Sequence, residues 1–169
     1  LAKEITKFPS FSGRETPLAE FLAKYMGGNG IEVELQEVEE GRPNVVGLWE
    51  GTGNGKSLMF NGHMDTSNTG RESFLTGIGY KPKAVIRNGM IYGLGIYNMK
   101  GALVCYTQAV KALRRAGVKL EGDLRIAAVA GEIEIPGRPP LNFFERTVLP
   151  LKVEEVRRSD AVICPSPLC

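Results

Sequence analysis

The sequence predicts an α/β protein, a three-layer α/β/α sandwich built on a mixed β-sheet. Three observations carry that expectation. Short apolar runs of strand length stand at residues 58–60, 124–130 and 161–164. Between them, residues 17–26 and 99–116 carry apolar side chains at helical spacing. Residues 31–38 alternate apolar and charged side chains, the period of a half-exposed strand, so the sheet has both buried and solvated members.

In chain order, residues 2–7 and 17–26 read as two helices, the second through Leu18, Phe21, Leu22 and Tyr25, with Pro9-Ser10-Phe11-Ser12-Gly13 as the turn between them. Gly27, Gly28 and Gly30 stop the second helix, and the strand 31–38 follows. Residues 44–49 and 57–60 are the next strands, separated by turn residues 51–55. Leu58-Met59-Phe60 is apolar on both faces, as a central strand is. Periodicity lapses over 66–83, where Gly70, Gly77, Gly79 and Pro82 predict a loop lying over a site. Residues 83–86 and 90–92 flank Arg87-Asn88-Gly89 as a hairpin, because Asn-Gly tolerates the positive φ of tight turns. A single continuous helix is expected over 99–116, with Leu103, Tyr106, Val110 and Leu113 at helical spacing and Gly117 at its end. Residues 124–130 form a buried strand, and after Gly137-Arg138-Pro139-Pro140 a short charged helix at 152–158 precedes the last strand. The sequence shows no internal repeat.

With 43% hydrophobic and 24% charged residues over 169 positions, the composition is that of one soluble domain, 1–169, with a real core. A net charge of +2 gives no clustered basic surface for nucleic acid. No run of about 18 apolar residues offers a membrane span, and the N-terminus lacks a signal-peptide pattern, so the expected address is cytoplasmic. Cys105, Cys164 and Cys169 are an odd set without CxxC spacing, which predicts buried, reduced thiols. The chain opens on Leu1, and its last apolar strand needs neighbours, so a piece of a longer catalytic-type domain is expected.

His63 is the only histidine. In Phe60-Asn61-Gly62-His63-Met64-Asp65-Thr66 it stands two residues before Asp65, and strand spacing puts both side chains on one side of the backbone as the chain leaves the sheet. Strand ends are where α/β folds build sites. A neighbouring carboxylate also holds a ligating imidazole in one tautomer. A histidine capping a turn would give the same pattern, so the pair alone does not decide. Tyr92-Gly93-Leu94-Gly95-Ile96-Tyr97-Asn98-Met99-Lys100-Gly101 joins the hairpin to the long helix, where backbone amides and a polar side chain can meet in one pocket. Its Gly93-x-Gly95 is no dinucleotide fingerprint, since a third glycine is missing and a hairpin precedes it. Ala130-Gly131-Glu132-Ile133-Glu134 closes a buried strand with two carboxylates, which by themselves read as a solvated edge.

In order and spacing, these three segments resemble the two-metal amidohydrolase and exopeptidase family of acetylornithine deacetylase, succinyl-diaminopimelate desuccinylase, aminoacylase and carboxypeptidase G. The family pattern is H-x-D after a strand, G-x-G-x-x-D-M-K-G before a helix, and a Glu-Glu pair after a strand. Phe8-Pro9-Ser10-Phe11-Ser12-Gly13 is similar to the family's opening turn, and the resemblance covers residues 1–134, reviving at 160–167. It implies a zinc-exopeptidase-like catalytic domain, zinc or cobalt as cofactor, and a small N-acyl amino acid or peptide as substrate. No nucleic acid or membrane partner is expected, and a homo-oligomer stays open because the sequence does not read the oligomeric state. By position, His63 matches a terminal metal ligand, Asp65 the carboxylate that orients it, and Glu132 the general base. The implied catalytic residues are therefore Glu132 and Asp65.

The metal set departs from the family. Asn98 stands at the bridging aspartate, Ile133 at the next glutamate ligand, and Ser166 where the family keeps an acidic ligand before proline. Glu134 would replace the missing ligand through a one-residue shift. The family's remaining histidine ligand and its lid or dimerisation domain have no counterpart in 1–169. The expected metal ligands are thus His63, Asn98 and Glu134, with weak or absent binding. Two functions stay open: a metal-dependent hydrolase of N-acyl amino acids or small peptides, deacetylase- or desuccinylase-like, and a non-catalytic binding or scaffold protein that retains the fold. In either case His63, Asp65, Asn98 and Glu132 are expected to converge on one cleft, with the N-terminus of the 99–116 helix facing it.

Overall fold

A computed structural model describes residues 1–133 and 159–164. The chain starts with a short helix, α1 (Ala2–Ile5), and a longer one, α2 (Thr16–Gly27), whose proline in the first turn needs no amide partner. Leu18, Ala19, Leu22 and Met26 lie on the buried face of α2. Strands β1 (Glu32–Glu39) and β2 (Arg42–Trp49) pair antiparallel. Next come β3 (Leu58–His63), the hairpin β4 (Val85–Arg87) and β5 (Met90–Tyr92), the helix α3 (Gly101–Arg115), and the strands β6 (Leu124–Val129) and β7 (Ala161–Ile163). Asn88 and Gly89, with φ of 52° and 74°, make the hairpin turn that the Asn-Gly pair predicts.

The main sheet has the order β1-β2-β6-β3-β7 and is mixed: β2 pairs antiparallel with both β1 and β6, while β3 pairs parallel with both β6 and β7. Helices α2 and α3 share one face of it. Met26 reaches toward Gly47 of β2, Leu103 toward Gly62 of β3, and Tyr106 stacks on Phe60 with ring centroids 4.6 Å apart. On the opposite face Val46, Met59, Asn61 and Ala127 are buried as well. Interior placement on both faces explains why the central strands read as unbroken apolar runs.

Three expectations need correction. Strand β3 continues through Asn61 and Gly62 to His63, paired with Ala127 to Val129, because its polar residues are buried on the sheet and not turned out into a loop. The helix expected from Met99 begins at Gly101 instead. Residues Ile96–Lys100 form an irregular turn in which Asn98 (φ −134°, ψ 101°) and Met99 (φ −135°, ψ 33°) are non-helical, and Lys100 is the N-cap. Cysteine chemistry differs too, since Cys105 is free but exposed on α3 and Cys164 is disulfide-bonded. The last strand pairs with β3, yet Val162 and Ile163 stay 37% and 47% exposed. The expected helix at 152–158 lies outside the described residues.

The opening turn is locked to the rest of the fold. Glu15, fully buried, takes two hydrogen bonds from Arg42, at 2.6 and 3.0 Å, and a third from the Gly13 amide. Burial works against the Arg42 charge, but the Glu15 and Glu39 carboxylates outweigh it and hold the guanidinium pKa above its ordinary value. The turn then runs beside the end of β3: Phe11 bridges Thr66 in parallel, the Thr66 amide donates to Ser10 O, and Ser10 Oγ donates to Met64 O.

Candidate active site

Strand β3 delivers His63 to the end of the sheet, fully buried, with Asp65 just beyond it. The imidazole Nδ1 lies 3.0 Å from the Asp65 carbonyl and 3.3 Å from its carboxylate Oδ1, which fixes the proton on Nδ1 and leaves Nε2 directed outward. Nε2 faces Asn98 Oδ1 at 3.2 Å. Burial opposes the imidazolium, but the hydrogen bond and charge of Asp65, with Asn98 and Glu132 behind them, hold the His63 pKa above 6.5.

Asn98 does not cap α3. It stands two residues before the N-cap, in the non-helical turn, and its amide points at His63. Two glycines make that possible. Gly95 has φ of 75°, and a Cβ there would come within 2.7 Å of Thr66 Cγ2; at Gly62 a Cβ would come within 2.7 Å of Met99 Cε. Gly95 therefore serves a left-handed turn packed against the end of β3, while a Cβ at Gly93 would come within 2.8 Å of Thr6 Cγ2.

Asp65 is the hub. Its Oδ1 accepts the Glu132 amide at 3.2 Å, and its Oδ2 accepts the Ile133 amide at 2.6 Å and Ser12 Oγ at 2.9 Å. Lys100, whose side chain is wholly buried, donates from Nζ to Phe8 O at 2.5 Å. Burial pushes its pKa down from 10.5 to about 7, against the opposing pull of Asp65. Sequence reading passed over both Ser12 and Lys100, although each sits inside a quoted motif.

The structure brings His63, Asp65, Asn98 and the Glu132 backbone together, and a pocket of about 170 Å³ lined by Thr66, Ser67, Asn68, Tyr80, Tyr97 and Asn98 opens beside them. Glu134 and Ser166 lie outside the described residues. Among the described residues no group of three or more His, Cys, Asp or Glu side chains could hold a metal ion. The pair His63 and Asn98 does fit one cation. Donors bound to a single zinc at about 2.0–2.1 Å with near-tetrahedral angles stand about 3.3 Å apart, and Nε2 and Oδ1 stand 3.2 Å apart. Fit to two cations is poor, because an amide offers one good acceptor where a bridging carboxylate offers two.

A mixed sheet with flanking helices and a histidine and carboxylate at the end of a parallel strand defines an α/β protein of the zinc-exopeptidase-like fold. Among solved structures, human carnosine dipeptidase 1 superposes with a TM-score of 0.74 at 18% identity, over 95% of this chain and 36% of that one. An M20 family metallo-carboxypeptidase from Sulfolobus solfataricus gives 0.69 at 19% identity, over 95% and 35%. Residues 59–142 match Peptidase family M20/M25/M40, and the chain belongs to this family. It is 33% identical over 137 residues to the N-formyl-4-amino-5-aminomethyl-2-methylpyrimidine deformylase of Bacillus subtilis, covering 78% of this chain and 32% of that protein. The protein of the same name from Halalkalibacterium halodurans is 33% identical over 129 residues, 73% of this chain and 29% of that one. The chain thus spans about a third of the length of these curated relatives.

Proposed function

We propose that the chain is the site-bearing front part of a metal-dependent amidohydrolase that cleaves the linear amide of a small N-acylated amine, with one cation held by His63 and Asn98. The observation that carries this reading is the 3.2 Å edge between His63 Nε2 and Asn98 Oδ1, beside the tethered Glu132 segment. Identity to the two deformylases favours an N-formyl amine over the N-acetyl or N-succinyl amino acids that the wider family resemblance suggests. A bound zinc or cobalt ion supplies the positive charge that polarises an amide carbonyl and acidifies water. Asp65 holds the imidazole with Nε2 toward the cation. Glu132 accepts the proton of the attacking water and returns it to the departing nitrogen. Lys100 ties the opening turn to this corner through Phe8 O.

The test is amine release by zinc- or cobalt-loaded protein from three substrates: an N-formyl aminomethylpyrimidine, an N-acetyl amino acid and a dipeptide. Faster release from the formyl compound supports the reading. No release above a metal-only control overturns it. The second reading, a non-catalytic protein that kept the fold, is favoured by one observation. Asn98 and Ile133 remove two anionic ligands, and Ile133 meets the site through its backbone. Under that reading the purified protein retains no metal after dialysis and releases no amine.

A further inference from the structure

We infer that Ser12, in the opening turn, is a positioning residue that acts through Asp65 to hold the Glu132 segment against His63. Ser12 is 7% exposed and has one hydroxyl hydrogen within reach of two acceptors, Asp65 Oδ2 at 2.9 Å and Ile133 O at 2.8 Å. Asp65 Oδ2 also accepts the Ile133 amide, and Oδ1 accepts the Glu132 amide while facing His63 Nδ1. One hydroxyl and one carboxylate therefore join three stretches of chain: 10–13, 63–65 and 131–133.

The sheet does not do this work. Strand β6 ends at Val129, the Ala130 amide turns to the side chain of Asn44, and Gly131 takes φ of 74°, so the chain has left the ladder before Glu132. The hydrogen bonds that fix the Glu132 and Ile133 backbone run to Asp65 and Ser12. Asp65 has two tasks, orienting the imidazole on one side and fixing the Glu132 segment on the other. Ser12 serves the second. Removing its hydroxyl leaves the contacts of His63 with Asp65 and Asn98 in place and frees Ile133 O and one lone pair of Asp65. Glu132 then samples positions away from the reacting water, and a misplacement on the order of 1 Å is enough to cost about 100-fold in rate.

The turnover arm of the test rests on the amidohydrolase reading, and the exchange arm does not. In the wild-type protein, amide hydrogen exchange at Glu132 and Ile133 is expected to be protected like the β6 strand, although both lie beyond it. In Ser12→Ala the two amides exchange at least about tenfold faster, while the β6 amides and the dialysed cobalt content stay at wild-type levels. With a cleaved substrate, kcat falls about 10- to 100-fold and KM stays within about twofold, and Ser12→Thr, which keeps the hydroxyl, recovers most of the loss. Wild-type exchange at Glu132 and Ile133 as fast as at the exposed Gly53 amide overturns the inference, and this measurement stands even if Ser12→Ala does not fold. Equal loss of kcat in the alanine and threonine variants overturns it as well. If no substrate is cleaved by wild-type protein, the hydrolase reading fails while exchange still decides the role of Ser12.

Discussion

Asn98 puts a neutral oxygen 3.2 Å from His63 Nε2, where the family pattern has an aspartate. A carboxylate there would bring a full charge and a second acceptor to the cation without moving the backbone. Asn98→Asp is expected to tighten zinc binding by at least about tenfold, or about 1.4 kcal/mol, read by calorimetry, and adding Ile133→Glu should tighten it further. If neither change alters zinc uptake, His63 and Asn98 do not share a cation. Lys100 supports a second prediction, on pH. Its folded pKa is lowered from 10.5 to about 7 by burial, so between those values the unfolded chain binds more protons than the folded one. Stability therefore rises with pH across that window, by a few kcal/mol in all. Urea midpoints at pH 7, 8 and 9 should climb in the wild type and flatten in Lys100→Met. His63 contributes with the opposite sign: its raised pKa adds stability that is full below 6.5 and fades as pH climbs through the folded value. At this scale the H-x-D pair was legible because both partners sit two positions apart. Ser12 and Lys100 were not, because their partners lie 53 and 92 positions away.

Among the elements, the strands were read well and the entry to α3 was not. Apolar runs mark β3 and β6 because those strands are buried on both faces, whereas the run at 161–164 marks β7, whose residues are exposed. At α3 the apolar period runs back to Met99, which is also buried, so periodicity alone cannot separate a helical turn from the irregular turn that aims Asn98. The close approach of that turn to β3 depends on Gly62. In Gly62→Ala the new methyl meets the flexible end of Met99, which can move aside, so a modest loss of stability, about 1 kcal/mol, is expected. Met99 is joined directly to Asn98, and its shift should move the amide. Zinc affinity is therefore expected to fall more than the melting temperature suggests, which calorimetry beside thermal melts would check. Unchanged affinity with a lowered Tm would mean that the turn and the strand are not coupled.

For the whole molecule, the α/β class and the mixed sheet followed from strands alternating with helices, while the order β1-β2-β6-β3-β7 did not, because local patterns carry no information about which strands become neighbours. A metal that binds the folded chain and not the unfolded one raises global stability by mass action, about 2.7 kcal/mol at a hundredfold excess over Kd. Zinc is accordingly expected to raise the melting temperature of the wild type but not of His63→Ala; an equal rise in both would assign the effect to other groups. The hydrogen bond from Ser12 to Ile133 has one more consequence, in the order of events. It joins residues 121 positions apart, and closing so long a loop costs entropy that only already folded neighbours can offset. The 10–13 turn is made before residues 131–133 and can close on them only once the strands between have paired, so a chain caught part-way through folding carries a sheet before it carries a site.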